Sequence, residues 1–391
     1  MRIGIVGARL AGSYSALLLA EAGHEVVLFD DTIEREKPCG GGVTAKALRT
    51  MEWFKHHPLP HNEIRYLRMR TASGEAATLP LRNPIRIFSR ASLDSALRDA
   101  AARAGAEFHE ERVTGFETDG AGWVVTTPTC TRSVDFLIGA DGATSSVRPK
   151  VTSRFEATDL SLALGYYVPG LFHPDTVVAA FQEHGFPGYL WSFPRVDHSS
   201  VGILRRLPGT RSDVLRRRVE EFIDREYPGT GQARRFYAAR IPCLSRKSLA
   251  GQKTSGTRWA LLGDAAGFAD AVTAEGIFYA LRSAELLAGC FKSGEPAAFD
   301  RAWREDFGRD LMRSAGWRDR FFAGTLLFKA FVSRAVQLTR LSGTVGRLTD
   351  DVIAGLMDYA GLRRNLLLRS PQILVETILR RFQMRLDAQA S

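Results

Sequence analysis

The chain has 391 residues, 45% hydrophobic and 25% charged, with a formal net charge of +10. This is a globular composition, long enough for two or three domains. The four cysteines, at 39, 130, 243 and 290, form no CxxC pair and no zinc-like cluster, which sets a zinc site aside and fits a reduced, cytoplasmic setting.

The first thirty residues read as strand, turn, helix and strand. "RIGIVG" is a short apolar run, "AGSYSALLLAEAG" is helical with Gly23 as its stop, and "HEVVLFD" is a second strand. The opening stretch, with Arg2 and its apolar residues, superficially resembles a signal peptide. Glycines and Arg9 interrupt it, so it reads as fold. An arginine-bearing segment and the amphipathic helix "SLDSALRDAAARAGAEF" occupy residues 86–108, and the β runs "RVTGFETD", "GWVVTTPT" and "DFLIGADG" follow. From about 155 to 250, strands with turn signals between them predict an antiparallel sheet, and "GFPGYLWSFPR" is its most aromatic segment. "RWALLGDAAG" is a buried strand, a long helix starts near Gly276, and the pattern beyond 300 is almost wholly helical.

This order predicts a doubly wound α/β fold. It is a Rossmann-like domain with an inserted antiparallel β-sheet and a helical C-terminal region; the resemblance given below implies that the first domain binds FAD and the inserted sheet holds substrate. The expected boundaries are 1–152 and 253–310 for the first, with 63–83 contributing to the substrate sheet, then 153–252 and 311–391. "FFAGTLLF" stops at Lys329, too short to span a membrane. The tail "GLRRNLLLRSPQILVETILRRFQMRL" interleaves arginines with leucines at helical spacing. No nucleic-acid motif accompanies the charge. Peripheral contact with a membrane surface or a solvated helix face remains.

"GARLAG" at 7–12 lies between strand and helix, where a G-x-G-x-x-G fingerprint belongs. Gly7 and Gly12 are in place, but Arg9 holds the middle position. Its side chain must either point away from a pyrophosphate or contact it. The helix N-terminus still offers free N–H groups to an anion. Asp30 ends the second strand, the place for a carboxylate that accepts hydrogen bonds from a ribose. A Rossmann-like unit that binds nothing would share these features.

"LIGADGATSSVR" at 137–148 and "LLGDAAGFADAVTAEGI" at 261–277 resemble the paired signatures of the p-hydroxybenzoate-hydroxylase-type FAD family. The resemblance implies that Asp141–Gly142 lie beside the FAD pyrophosphate, that Asp264 binds a ribitol hydroxyl, and that Arg90 of "SRASLDSAL" approaches the pyrophosphate. With Gly7, Arg9, Ala11, Gly12, Asp30, Gly40, Gly41, Val113, Gly263, Gly276 and Ile277, these form the expected cofactor set. The helix that follows "TAEGI" would aim its N-terminus at the flavin pyrimidine, and Glu275 should point away from that charge.

"PCGGG" at 38–42 is poor for any helix or strand, because glycine loses the most backbone entropy on folding. A flexible loop is one reading; close approach of a ligand or of other backbone is the second. Together with "YLWSFP" at 189–194, the string resembles the geranylgeranyl reductase family, whose members saturate isolated C=C bonds of prenyl chains on lipids or on quinone and chlorophyll precursors. The resemblance implies glycines against the flavin, Cys39 near its reactive face, and Tyr189, Trp191 and Phe193 lining a prenyl channel. A core strand with alternating aromatics explains "YLWSFP" as well. Where the family reads "DPxTGEG", this chain has "DAVTAEG", with Ala271 and Ala274, and the glycine-rich turn after the aromatic motif is reduced to Gly202.

An isolated alkene accepts hydride only with a proton supplied. Hydride would come from flavin N5, and the proton from Cys39, from Tyr189 or from water. Cys39 could equally be a small apolar residue filling space. No nicotinamide domain is visible, so NAD(P)H docks transiently or a small redox protein donates electrons. The same fold hosts flavin monooxygenases and halogenases acting on hydrophobic or aromatic small molecules. A non-catalytic flavoprotein that binds lipid is the third reading.

Overall fold

The computed structural model describes residues 1–31, 36–118, 120–182, 185–326 and 328–390. The chain divides into two compact units. One comprises Met1–Pro38, Ser89–Ser161 and Arg240–Ala315; the other comprises Cys39–Phe88, Leu162–Ala239 and Gly316–Ser391.

The first unit is built on a six-stranded sheet, in the order Ser255–Gly256, Trp259–Leu261, Phe136–Gly139, Arg2–Val6, Glu25–Phe29, Glu107–His109. All pairings are parallel except that of the short Ser255–Gly256 strand. Its central strands are near-continuous apolar runs because both faces are covered. The helix Leu10–Glu21 packs against the helices Arg90–Arg103 and Ile277–Lys292. It is apolar on every side, as a helix enclosed by neighbours must be. Gly23, at φ +82°, ends it in the left-handed conformation. A three-stranded antiparallel sheet, Gly115–Thr118, Trp123–Thr126 and Thr131–Val134, accompanies this core.

The second unit holds an eight-stranded sheet, ordered Arg235–Pro242, Leu160–Pro169, His198–Arg206, Gly188–Pro194, Thr176–Phe181, His61–Thr71, Ala76–Phe88, Gly42–Val43. From His198–Arg206 through to Gly42–Val43 the pairings are antiparallel apart from that of Thr176–Phe181 with His61–Thr71. One apolar cluster joins Leu164, Tyr166, Val168, Leu190, Val201 and Ile203 to Leu215, Val219, Phe222 and Ile223. The last four belong to a helix, Ser212–Glu226, where the strand-and-turn reading placed none. They recur at helical spacing, but charged neighbours dilute the pattern. A second cluster sets Val336 and Ile353 against Ile64, Leu67, Leu79 and Ile87, so the helices Phe331–Leu341 and Gly343–Ile353 cover that part of the sheet.

Candidate functional site

Gly7 sits at φ +102°, and a Cβ there would overlap the Ala140 carbonyl. A Cβ at Gly12 would overlap the Gly7 carbonyl. The two glycines therefore let the first turn fold tightly against the end of the strand Phe136–Gly139. Arg9 has φ −93°, which any residue adopts. Its guanidinium leaves the turn to meet Asp94 Oδ2 at 3.3 Å, and Asp94 also takes Arg90 bidentately, with Nη2 at 2.8 Å from Oδ1. Arg90 is 2% exposed. Its backbone N–H donates to Glu36 Oε1 at 2.9 Å. Asp30 Oδ2 accepts from Ala8 N–H at 2.7 Å and braces the glycine turn.

The helix Leu10–Glu21 has no side-chain cap at its N-terminus, so the N–H groups around Ala11 and Gly12 remain available to an anion. Asp141 Oδ2 accepts from Ser146 N–H at 2.6 Å and Ser146 Oγ at 2.9 Å. Its Oδ1 is buried and has no hydrogen-bond partner among the described residues. Gly142, at φ +83°, has open space where a Cβ would stand. Val113 is half-buried, between the strands Glu107–His109 and Gly115–Thr118. Glycine turn, uncapped helix end, strand-end carboxylate and orphaned Asp141 oxygen together fit a dinucleotide.

At the other end of this unit, Gly263, at φ +52°, packs against Ala11 and Ala280, where a Cβ would stand at 3.2 and 3.3 Å. Asp264 pairs with Lys37, Nζ to Oδ2 2.8 Å. Its Oδ1 looks toward Gly276, 3.3 Å from where a Cβ would be. Asp270 Oδ1 accepts from the N–H groups of Val272 and Thr273 and rigidifies "DAVTAEG". Ala274, the family's glycine position, is held at φ +59°. Glu275 turns back onto its own helix, accepting from Phe278 N–H at 2.7 Å. Ile277 is buried at the start of that helix.

In the second unit, the close neighbours of the glycine triplet are protein. A Cβ at Gly40 would stand 3.0 Å from the Phe193 ring, and one at Gly41, φ +83°, would overlap the Phe88 carbonyl. The Cys39 carbonyl accepts from Arg195 Nη2 at 2.6 Å and Ser200 Oγ at 3.1 Å. Cys39 Sγ accepts from Gly41 N–H at 3.3 Å. Ser200 Oγ is 2.8 Å from Tyr237 Oη. Arg195 is fully buried, and burial lowers its pKa to about 10. Burial likewise raises the Tyr237 hydroxyl above its ordinary range.

Tyr189, Trp191 and Phe193 alternate with Leu190 and Ser192 along one strand and so share a face. The Trp191 indole sits against Gly202, where any Cβ would strike it. Tyr189 packs near Trp191 and Phe181, with centroids at 6.3 and 6.1 Å. The aromatic series continues from Phe181 to Phe321, Phe331, Trp317 and Tyr359.

Sequence reasoning did not find Lys37, Glu36, Asp94, Arg195, Ser200 or Tyr237. Arg195 was signalled only by its place at the end of the aromatic strand, and Lys37 by its place beside "PCGGG".

Residues 1–168 match the family described as FAD binding domain. The protein is an FAD-dependent oxidoreductase. The chain is 30% identical over 320 residues to a geranylgeranyl diphosphate reductase of Rhodobacter capsulatus, spanning 75% of this chain and 76% of that one. It is 29% identical over 343 residues to digeranylgeranylglycerophospholipid reductase 2 of Methanothermobacter thermautotrophicus, spanning 80% and 86%. Its fold matches a geranylgeranyl bacteriochlorophyll reductase-like protein of Thermoplasma acidophilum with a TM-score of 0.73 at 18% identity, over 97% of this chain and 98% of that one. The chain belongs to the geranylgeranyl reductase family.

Proposed function

We propose that this protein saturates C=C bonds of a prenyl or related hydrophobic substrate. The observation that carries the reading is the half-buried aromatic series Tyr189, Phe181, Phe321, Phe331 and Trp317. Such a surface suits a long, flat, unsaturated hydrocarbon and offers few polar partners. Bound FAD supplies hydride from N5. Asp264, Asp141, Gly7 and the helix N-termini near Gly12 and Gly276 are the residues proposed to hold it. Electrons reach it from NAD(P)H or a small redox protein.

Cys39 is the proposed proton donor, with Tyr189 or water as the other candidates. The Gly41 N–H engages a sulfur lone pair, which leaves the thiol hydrogen free to donate. Arg195 and Ser200 pin the Cys39 carbonyl and so position the thiol. The reading includes peripheral contact with a membrane, where such substrates dissolve.

Anaerobic incubation of the reduced protein with prenyl compounds tests the proposal. A product two hydrogens heavier supports it. Inertness without oxygen, together with substrate-stimulated oxygen consumption, would assign the site to a monooxygenase or halogenase.

A further inference from the structure

Glu376 fixes which way the last helix, Ser370–Ala390, is turned. Its carboxylate accepts from Ser342 Oγ at 2.5 Å, from Thr344 N–H at 3.0 Å and from Thr344 Oγ1 at 2.8 Å. These donors stand at the N-terminus of the helix Gly343–Ile353, where a carboxylate is favoured. With Glu376 inward, the helical period of 3.6 residues carries Leu374, Ile378 and Phe382 to the side away from it and sets Val375, Leu379 and Leu386 along the adjoining flank. All six are exposed, from 50 to 64%. Leu367 and Leu368, at the end of the preceding helix Tyr359–Leu368, add two more exposed leucines.

The charges bordering this stripe are mostly positive. From Tyr359 to Leu386 the chain carries Arg363, Arg364, Arg369, Arg380, Arg381 and Arg385. The acids of the helix Ser370–Ala390 are Glu376, already engaged, and Asp387, which the helical period places on the same side as Glu376. Arg381 and Arg385 flank the stripe along one edge at helical spacing. A second copy laid on the same stripe would bring arginine edge to arginine edge, and Asp387, on the Glu376 side of the helix, does not face them. No described helix is long and apolar enough to cross a membrane. A helix with an apolar face and a cationic edge lies in a bilayer interface instead.

We propose that the helix Ser370–Ala390 docks flat on an anionic lipid bilayer, with Leu374, Ile378 and Phe382 entering the acyl boundary and Arg381 and Arg385 on the headgroups. This rests on the reading of the substrate as a lipid-dissolved chain, and it names the surface by which the protein reaches that substrate.

The test is sedimentation of the full-length, FAD-loaded protein with phosphatidylcholine vesicles, with and without phosphatidylglycerol. Binding to the anionic vesicles should be at least about tenfold tighter and should weaken with added salt. Ile378→Ser with Phe382→Ser should weaken binding to the anionic vesicles about tenfold or more, while the protein keeps its FAD and its turnover of detergent-dispersed substrate. Arg381→Gln with Arg385→Gln should erase the preference for anionic lipid. Equal binding to both vesicle types, or unchanged binding of the Ile378/Phe382 variant, overturns the docking. So does light scattering that shows a dimer converted to monomer by that variant, because the stripe would then belong to a second copy. Wild-type protein that binds anionic vesicles yet reduces no prenyl compound supports the docking and overturns the reaction.

Discussion

Lys37 and Asp264, 227 residues apart in the chain, form a half-buried ion pair with Nζ 2.8 Å from Oδ2. The pair ties the approach to "PCGGG" to the turn that the FAD reading places at the ribitol. One carboxylate oxygen is engaged by Lys37, and Oδ1 remains for a ligand hydroxyl. Asp264→Ala should weaken FAD binding by about 1–3 kcal/mol, roughly fivefold to 150-fold. Lys37→Met keeps the carboxylate and should cost less than about 1 kcal/mol. Equilibrium dialysis against FAD decides. Equal losses in both variants would mean that the ion pair, rather than a ribitol contact, is what FAD binding feels.

Ala274 occupies a left-handed conformation, φ +59°, where the family has glycine. A non-glycine residue there costs about 1–2 kcal/mol. Replacing it with glycine returns about 0.4–1 kcal/mol to the unfolded chain as entropy. The strain is the larger quantity, so Ala274→Gly should stabilise the protein by about 0.5–1 kcal/mol and raise Tm by about 1 °C. A lower Tm would show that the turn around Asp270 holds Ala274 without strain.

Gly41 and Gly142 share φ +83° but differ in surroundings. A Cβ at Gly41 would overlap the Phe88 carbonyl, whereas at Gly142 it meets open space. Gly142→Ala should cost about 1–2 kcal/mol for its backbone conformation alone. Gly41→Ala must also displace a strand and should cost at least about 2 kcal/mol more. Denaturant unfolding of both variants measures the difference. Equal costs would mean that the loop yields freely and that Phe88 does not constrain it.

Much of this molecule was legible in its sequence, for stated physical reasons. The buried runs "RIGIVG" and "DFLIGADG" read as strands because no polar residue interrupts them, and Asp30 could be placed because it closes such a run. The helix Ser212–Glu226 was not legible, because its four buried residues are scattered among arginines and glutamates. The contact between Arg195 and the Cys39 carbonyl joins positions 156 apart, and no local pattern reports it. The glycine triplet was legible as a site of close approach. That Phe193 and Phe88 make the approach depends on sheet register, which periodicity alone does not supply.

Glu376 also predicts an acid transition confined to the last helix. Burial pushes its carboxyl up, but the hydrogen bonds from Ser342 and Thr344 outweigh this and hold it at about 2, below its ordinary 4.5. A depressed folded-state value means that the contribution is complete above 4.5 and is lost as pH falls from there toward 2. Hydrogen exchange of residues 370–386, corrected for intrinsic rates, should lose protection across that window before the sheets do. Glu376→Gln should remove the pH dependence. Protection that survives to about pH 2 in the wild type would show that apolar contacts, not this carboxylate, hold the helix.

The reaction itself is tested by isotope and by mutation together. Reduced protein given a prenyl substrate without oxygen in D2O should yield a product with two deuteriums on adjacent carbons, because the flavin N5–H exchanges with solvent before it is transferred. Cys39→Ala should slow this reduction by about 10²–10⁴-fold if the thiol is the acid, with FAD still bound. Arg195→Met keeps the thiol but releases the carbonyl that Arg195 holds at 2.6 Å. It should lower the rate less than Cys39→Ala does, because the acid remains and only its orientation is loosened. A Cys39→Ala protein with the full alkene-reducing rate would transfer the acid role to Tyr189 or to water. The glycine triplet would then serve packing against Phe193 and Phe88 alone, and Tyr189→Phe would become the decisive variant.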